Sequence, residues 1–268
     1  MKPRLLAHML LAIAGAWAVL YVLRFVLPPG TLDGVVSELL MLKVGTVIRF
    51  VSLAIGAAFA FSSARHLGDS PSRFPWTALA IGLAGFAVGQ GSLAWHQVRT
   101  GETPFPSLAD VFFLAAYPFI LLAFALAIRA YHSAGMPIGA PRDHTLLGLG
   151  SLVAVLLVGT PLLKPILAAP TTPLVRALNA AYPILDFVAF IPIFVLVRIT
   201  ARFAGGQVAA VWASLLTGFI FLGVADAAFA YFQVLGQAAL DPLLYAGFLL
   251  AYAFIARGAI LQHEILTG

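Results

Sequence analysis

Two aspartates, Asp186 and Asp226, stand deep inside long apolar stretches, and Asp110 and Asp241 stand where two further stretches begin. Arg49 and Gln90 are placed like the first two, and Tyr117, Tyr182 and Tyr231 add hydroxyls at comparable depth. An ionisable side chain in lipid costs ~3 kcal/mol or more unless it is paired or faces a wet cavity, so each is a functional-site candidate. Three arrangements answer that cost. They are a polar cavity for a small molecule, a charge pair such as Arg49 with one aspartate, and interhelical hydrogen bonds that fix the packing. Two facing carboxyls could also share a proton and activate water, as in an intramembrane aspartyl protease. The strings are wrong for that chemistry. Gly223-Val224-Ala225-Asp226 is not Gly-x-Gly-Asp, Asp186 follows Leu185, and no Pro-Ala-Leu lies downstream. No catalytic residue is assigned.

Pro104-Phe105-Pro106-Ser107-Leu108-Ala109-Asp110 reads as a helix start. Ser107 with an acid three residues later is a capping-box pattern, and the prolines stop any earlier helix. Asp241-Pro242 reads as the same device, an acid at the N-cap with proline at the first helical position. Pro118, Pro183 and Pro192 fall within apolar stretches, where each releases a carbonyl that neighbours or water must satisfy. Ala-Ala-Tyr-Pro occurs at both 115–118 and 180–183, placing a kink beside a tyrosine twice.

Metal and haem chemistry find little support. The six histidines fall near the predicted span ends, with no His-x-x-His or Glu-x-x-His pair. The chain has no cysteine, which removes disulfides, iron–sulfur clusters and thiolate zinc sites. No metal and no cofactor are predicted, with a bound haem or pigment left open.

Long apolar helices must position these groups. Of 268 residues, 62% are hydrophobic and 9% charged, against about 45–50% and 25% in soluble domains. Lipid must therefore be the solvent. About 20 apolar residues cross the hydrocarbon, and eight such stretches are predicted, at 5–27, 44–64, 75–95, 107–130, 145–164, 177–198, 208–234 and 242–261. The first is read as a retained span, since it is longer than a signal-peptide core. Segment 31–43 reads as a short interfacial helix or loop. Trp76, Trp95, Tyr131 and Trp212 read as interfacial aromatics. The net charge of +5 is dispersed among loops, which argues for orientation and against nucleic acid. The distribution of Lys and Arg predicts both termini in the cytoplasm. On this count Arg49, Gln90, Asp186 and Asp226 sit in the outer half of the bilayer.

An internal repeat shows at an offset of 136 positions, matching Trp76 with Trp212, Leu79 with Leu215, Gly82 with Gly218 and Gln97 with Gln233. Gln90 then falls opposite Asp226. The fold predicted is a single all-α membrane domain of eight helices in two parallel four-helix halves, 1–134 and 135–268, related by an axis along the membrane normal.

Pro106-Ser107-Leu108-Ala109-Asp110, with Phe113-Leu114 and Tyr117-Pro118, resembles a recurring Pro-Ser-x-Ala-Asp-x-x-Tyr-Leu-x-x-Tyr-Pro string. That string belongs to the multi-pass membrane regions that precede diguanylate cyclase (GGDEF) and phosphodiesterase (EAL) modules in bacterial signalling proteins. Tyr182-Pro183 with Asp186, and Asp226 with a following aromatic, are similar to its later spans. The likeness runs over roughly 75–262, with Phe113 where the family tends to have tyrosine. Neither Gly-Gly-Asp-Glu-Phe nor Glu-Ala-Leu occurs. The resemblance implies an inner-membrane sensory or accessory module that signals to a cytoplasmic effector without catalysis of its own. Gln90, Asp110, Tyr117, Tyr182, Asp186, Asp226 and Arg49 are the predicted ligand-binding residues. A small-molecule or proton-coupled transporter, and a structural subunit of a larger membrane complex, are the alternatives. The predicted partners are the lipid bilayer and either a signalling effector or complex subunits.

Overall fold

The computed structural model describes residues 2–136, 159–201 and 206–268. Its long elements are all α-helices: α1 (Pro3–Val26), α2 (Glu38–His66), α3 (Arg73–Thr100), α4 (Leu108–Ser133), the short α5 (Thr160–Ala168), α6 (Pro173–Ala201), α7 (Gln207–Leu235) and α8 (Asp241–Thr267). All but α5 are long and apolar enough to cross a membrane, giving seven spans among the described residues. The protein is thus a multi-pass helical membrane protein. The predicted span at 145–164 falls mostly outside the described residues.

Several helices run longer than the apolar stretches that announce them. Glu38 to Lys43, expected in an interfacial segment, form the first turns of α2. Ser37 caps that helix, its Oγ accepting from the Leu40 amide at 3.3 Å, and Glu38 stands favourably near the positive helix end. Arg24 at the end of α1 donates to Asp33 at 2.5 Å and to Glu38 at 2.9 Å, holding the connecting turn against both helices. At the α8 start, Asp241 is the first helical residue and not the N-cap, and its side chain makes no cap bond. A 3₁₀ turn over Ala238–Leu240 leads directly into the helix and moves the boundary by one residue.

Neighbouring helices meet through small residues. A Cβ on Gly82 would lie 2.6 Å from Ile120 Cγ1, and one on Gly218 would lie 2.6 Å from Ile255 Cγ1 and 2.8 Å from the Ala251 carbonyl. Glycine is the residue that lets α3 meet α4, and α7 meet α8, at that separation. Both pairs are antiparallel. By contrast α4 and α6 run parallel, because Asp110 bonds Tyr182 while Tyr117 bonds Asp186. Parallel packing also joins α2 to α8, where Arg49 meets Tyr245, Gly56 meets Ala256 and Phe59 meets His263. α1 lies antiparallel on α8 and begins beside its C-terminus, with Arg4 3.4 Å from Glu264. Both ends of the chain are therefore at the same end of the bundle.

The core at the terminal end is aromatic. Trp76 and Trp212 were expected at the lipid interface, but both are buried and their rings meet at 5.8 Å. Tyr131 joins them through its hydroxyl, which accepts from Trp212 Nε1 at 2.9 Å. Phe124 packs edge-on against both Trp212 and Phe219. The indole N–H is satisfied by a protein partner, so it has no need of the wet interface. Trp95 stays on the outside, 64% exposed, beneath the Arg99 guanidinium.

Candidate functional site

Above this aromatic layer the helices enclose a cavity of about 200 Å³. One face of each contributing helix lines it. From α3 come Phe86, Gln90 and Leu93; from α4, Asp110, Phe113 and Tyr117; from α7, Leu222, Asp226, Phe229 and Gln233; from α8, Asp241, Tyr245, Phe248 and Tyr252. The three- and four-residue steps in these sets are the helical period, which places each set on one face. Arg49 of α2 and Tyr182 of α6 complete the wall, and Thr103, Pro104, Phe105 and Ser107 form the mouth. Phe105 lies across it, edge-on to Phe229 at 5.2 Å.

Of the seven predicted site residues, the cavity brings together Arg49, Gln90, Asp110, Tyr117, Tyr182 and Asp226. Asp186 stands behind them, joined through Tyr117. Its depth differs from the expectation. The helices extend further toward the mouth than the apolar stretches do, which moves the polar groups closer to mid-height. Asp186 lies ~20 Å into a helix ~43 Å long at 1.5 Å per residue. Arg49, Gln90, Tyr117, Tyr182 and Asp226 lie within ~8 Å of the mid-heights of theirs.

The four aspartates play different parts. Asp110 completes a capping box. Its Oδ2 accepts from the Ser107 amide at 2.6 Å, and Ser107 Oγ accepts from the Ala109 amide at 3.2 Å. Its Oδ1 accepts from the Tyr182 hydroxyl at 2.6 Å. Asp110 is thus fully bonded, and it ties the start of α4 to α6. Asp186 is 1% exposed, and its Oδ1 accepts from the Tyr117 hydroxyl at 2.6 Å. Its Oδ2 is buried with no hydroxyl or amide donor, and the carboxyl makes a side-chain hydrogen bond with that of Asp226. Asp226 is partly exposed and faces the cavity. Asp241 stands nearer the mouth, at the start of α8.

Arg49 takes none of these acids as a partner within 4.0 Å among the described residues. Its Nη2 donates to Thr46 Oγ1 at 2.6 Å, and its guanidinium sits 5.4 Å from the Tyr245 ring centre. Thr46 in turn donates to Gln97 Oε1. Arg49 is 6% exposed, and its Nε has no acceptor. Gln90 is 2% exposed, and its Nε2 has none either. The Arg49–aspartate pair, one of the arrangements the sequence leaves open, gives way to a threonine bond and a nearby tyrosine ring, with donor capacity left over.

Thr46, Gln97, Gln233, Tyr245 and Tyr252 belong to this network without having been singled out from the sequence. A signal for part of it was present. Tyr245, Phe248 and Tyr252 share a helix face, and Gln97 pairs with Gln233 at the repeat offset. Tyr231, the remaining tyrosine considered, is largely exposed and does not line the cavity. Among the described residues no group of three metal-ligating side chains occurs. His66 and His263, far apart in sequence, meet ring to ring at 5.1 Å at the terminal end. Compared with known proteins, the chain matches no family model, no curated protein and no solved structure.

Proposed function

We propose that the protein is a membrane-embedded small-molecule receptor, a sensory or accessory module of a bacterial inner membrane that acts on a cytoplasmic partner. One observation carries this reading. A mostly apolar cavity is lined by buried donors that have no acceptor, Arg49 Nε and Gln90 Nε2, and by Asp226. Buried polar groups are normally satisfied, so unsatisfied ones around a hollow point to an occupant. The Trp76–Trp212 layer beneath supports reception over passage, because buried rings fill the route to the other end.

The finer topology supports the same picture. Seven helices with both chain ends on one side leave one crossing unaccounted for, which supports the eighth span read from the apolar sequence at 145–164. The packing supports a reading as two parallel halves. α2, α3 and α4 begin at 38, 73 and 108, and α6, α7 and α8 begin at 173, 207 and 241. The contacts α2 to α8 and α6 to α4 exchange roles under that relation, and Trp76 and Trp212 meet each other at its axis. The cavity lies on the same axis, between Gln90 and Asp226, Phe113 and Phe248, and Tyr117 and Tyr252. With the basic loops on the cytoplasmic side, the termini face the effector and the cavity mouth faces away from it.

Transport is the second reading, and the near mid-height position of Asp186 favours it, since carrier sites sit near the bilayer midplane. Proteoliposomes separate the two. The receptor reading expects no solute or proton flux across pH 5–8, whereas saturable flux abolished by Asp226→Ala contradicts it.

A further inference from the structure

The cavity is polarised from one side to the other. On the α2–α3 side are Arg49 and Gln90, both buried and both with a donor that lacks an acceptor. On the α7 side is Asp226, partly exposed to the hollow. Asp110 also touches the cavity, but its oxygens are taken up by Ser107 and Tyr182, so it offers little to a ligand. Between the charged walls stand aromatic rings, including Phe86, Phe113 and Phe248.

Each feature selects a part of the occupant. A guanidinium with a free Nε–H and an amide N–H₂ lining the same hollow call for a carboxylate, which can accept from both. A carboxylate facing the same hollow calls for an ammonium group. The rings call for an apolar body. The space is about 200 Å³, room for roughly seven waters at ~30 Å³ each. That is below the 300–1,000 Å³ typical of pockets for drug-sized ligands, and suits a molecule the size of leucine. A lone cation would leave Arg49 Nε and Gln90 Nε2 without acceptors, and a lone anion would leave the partly exposed Asp226 face of the hollow unused.

We infer that the cavity binds a small apolar zwitterion of the α-amino-acid class, its carboxylate on Arg49 and Gln90 and its ammonium on Asp226. This inference rests on the receptor reading and names its ligand class.

The test uses the full chain in nanodiscs, with binding followed by calorimetry and by thermal stabilisation. The probes are L-leucine, isopentylamine as its decarboxylated counterpart, and 4-methylpentanoate as its deaminated counterpart. The expected result is that L-leucine binds at least tenfold more tightly than either counterpart. Arg49→Gln should lose that preference over the amine, and Asp226→Asn should lose it over the acid. Gln90→Met, a substitution without charge change, should weaken L-leucine by several-fold while leaving the amine unchanged, which guards against misfolded Arg49 variants. Equal binding of L-leucine and the amine, insensitive to Gln90→Met, overturns the zwitterion and leaves the receptor reading standing. Failure of all three probes to bind wild type, with the cavity accessible to a small thiol reagent at Leu93→Cys, overturns the zwitterion alone. Failure of that reagent to enter the cavity overturns both.

Discussion

The Tyr117–Asp186 bond and the Tyr182–Asp110 bond have the same length, 2.6 Å, yet their loss should have unequal consequences. Tyr117→Phe removes the hydroxyl from Asp186. The Asp186 Oδ2 has no hydroxyl or amide donor, so the substitution leaves a carboxyl that is 1% exposed with only the Asp226 carboxyl as a hydrogen-bond partner. Losing a buried hydrogen bond to a charged group costs about 1.5–3 kcal/mol. Tyr182→Phe takes one of several donors from Asp110, which keeps the Ser107 amide and hydroxyl. The cost there is an ordinary bond, about 0.5–1.5 kcal/mol, and interhelical bonds in membranes average ~0.6. At ~2–4 °C per kcal/mol for a chain of this size, Tyr117→Phe should lower the melting temperature by about 3–12 °C, and Tyr182→Phe by about 1–6 °C. Thermal unfolding of the purified protein in one detergent, monitored by near-UV circular dichroism, measures both. Adding Asp186→Leu to Tyr117→Phe removes the orphaned acid with its partner and should recover most of the loss. A Tyr182→Phe variant less stable than Tyr117→Phe, or no recovery in the double variant, refutes the assignment of these bonds.

Three further predictions follow from the packing. Gly218→Ala drives a Cβ to 2.8 Å from the Ala251 carbonyl and should destabilise by about 1–3 kcal/mol. Gly15→Ala, with nothing within 4 Å, should be neutral or raise stability by about 0.4–1 kcal/mol, and one unfolding series compares the two. Ser107→Ala removes the cap of α4 and should cost about 0.5–2 kcal/mol, read as lowered melting and faster amide exchange at Leu108–Asp110. Asp33→Asn breaks an exposed partner of Arg24 and should change stability by less than ~1 kcal/mol, with the difference between variants vanishing in high salt.

The membrane class and seven of the helices were legible because apolar length alone specifies a span. Their ends were not, since Glu38–Lys43 and Arg73 are polar residues drawn into helices by Ser37 capping and by bundle packing. The candidate polar groups could be named because each stands alone in apolar sequence. What they bond to could not. Arg49 takes Thr46 and Tyr245, where charge alone suggested an aspartate. Trp76 and Trp212 carry the composition of interfacial residues, and only the closeness of α3 to α7 turns them into a core pair. Tyr245 and Tyr252 went unnoticed because tyrosine is cheap near a membrane surface, and their helix face has meaning only once Arg49 and Asp226 stand opposite.

Central to the proposed function is a cavity open at one end of the bundle and sealed at the other. The chain has no cysteine, so a single introduced thiol reports without background. Leu93→Cys, in the cavity wall, and Ala127→Cys, buried within the aromatic end, should be exposed in sealed vesicles of both orientations to a small charged methanethiosulfonate reagent. The prediction is modification of Leu93→Cys from one face of the membrane only, and of Ala127→Cys from neither. Modification of either position from both faces, or none at Leu93→Cys, contradicts a one-ended binding cavity.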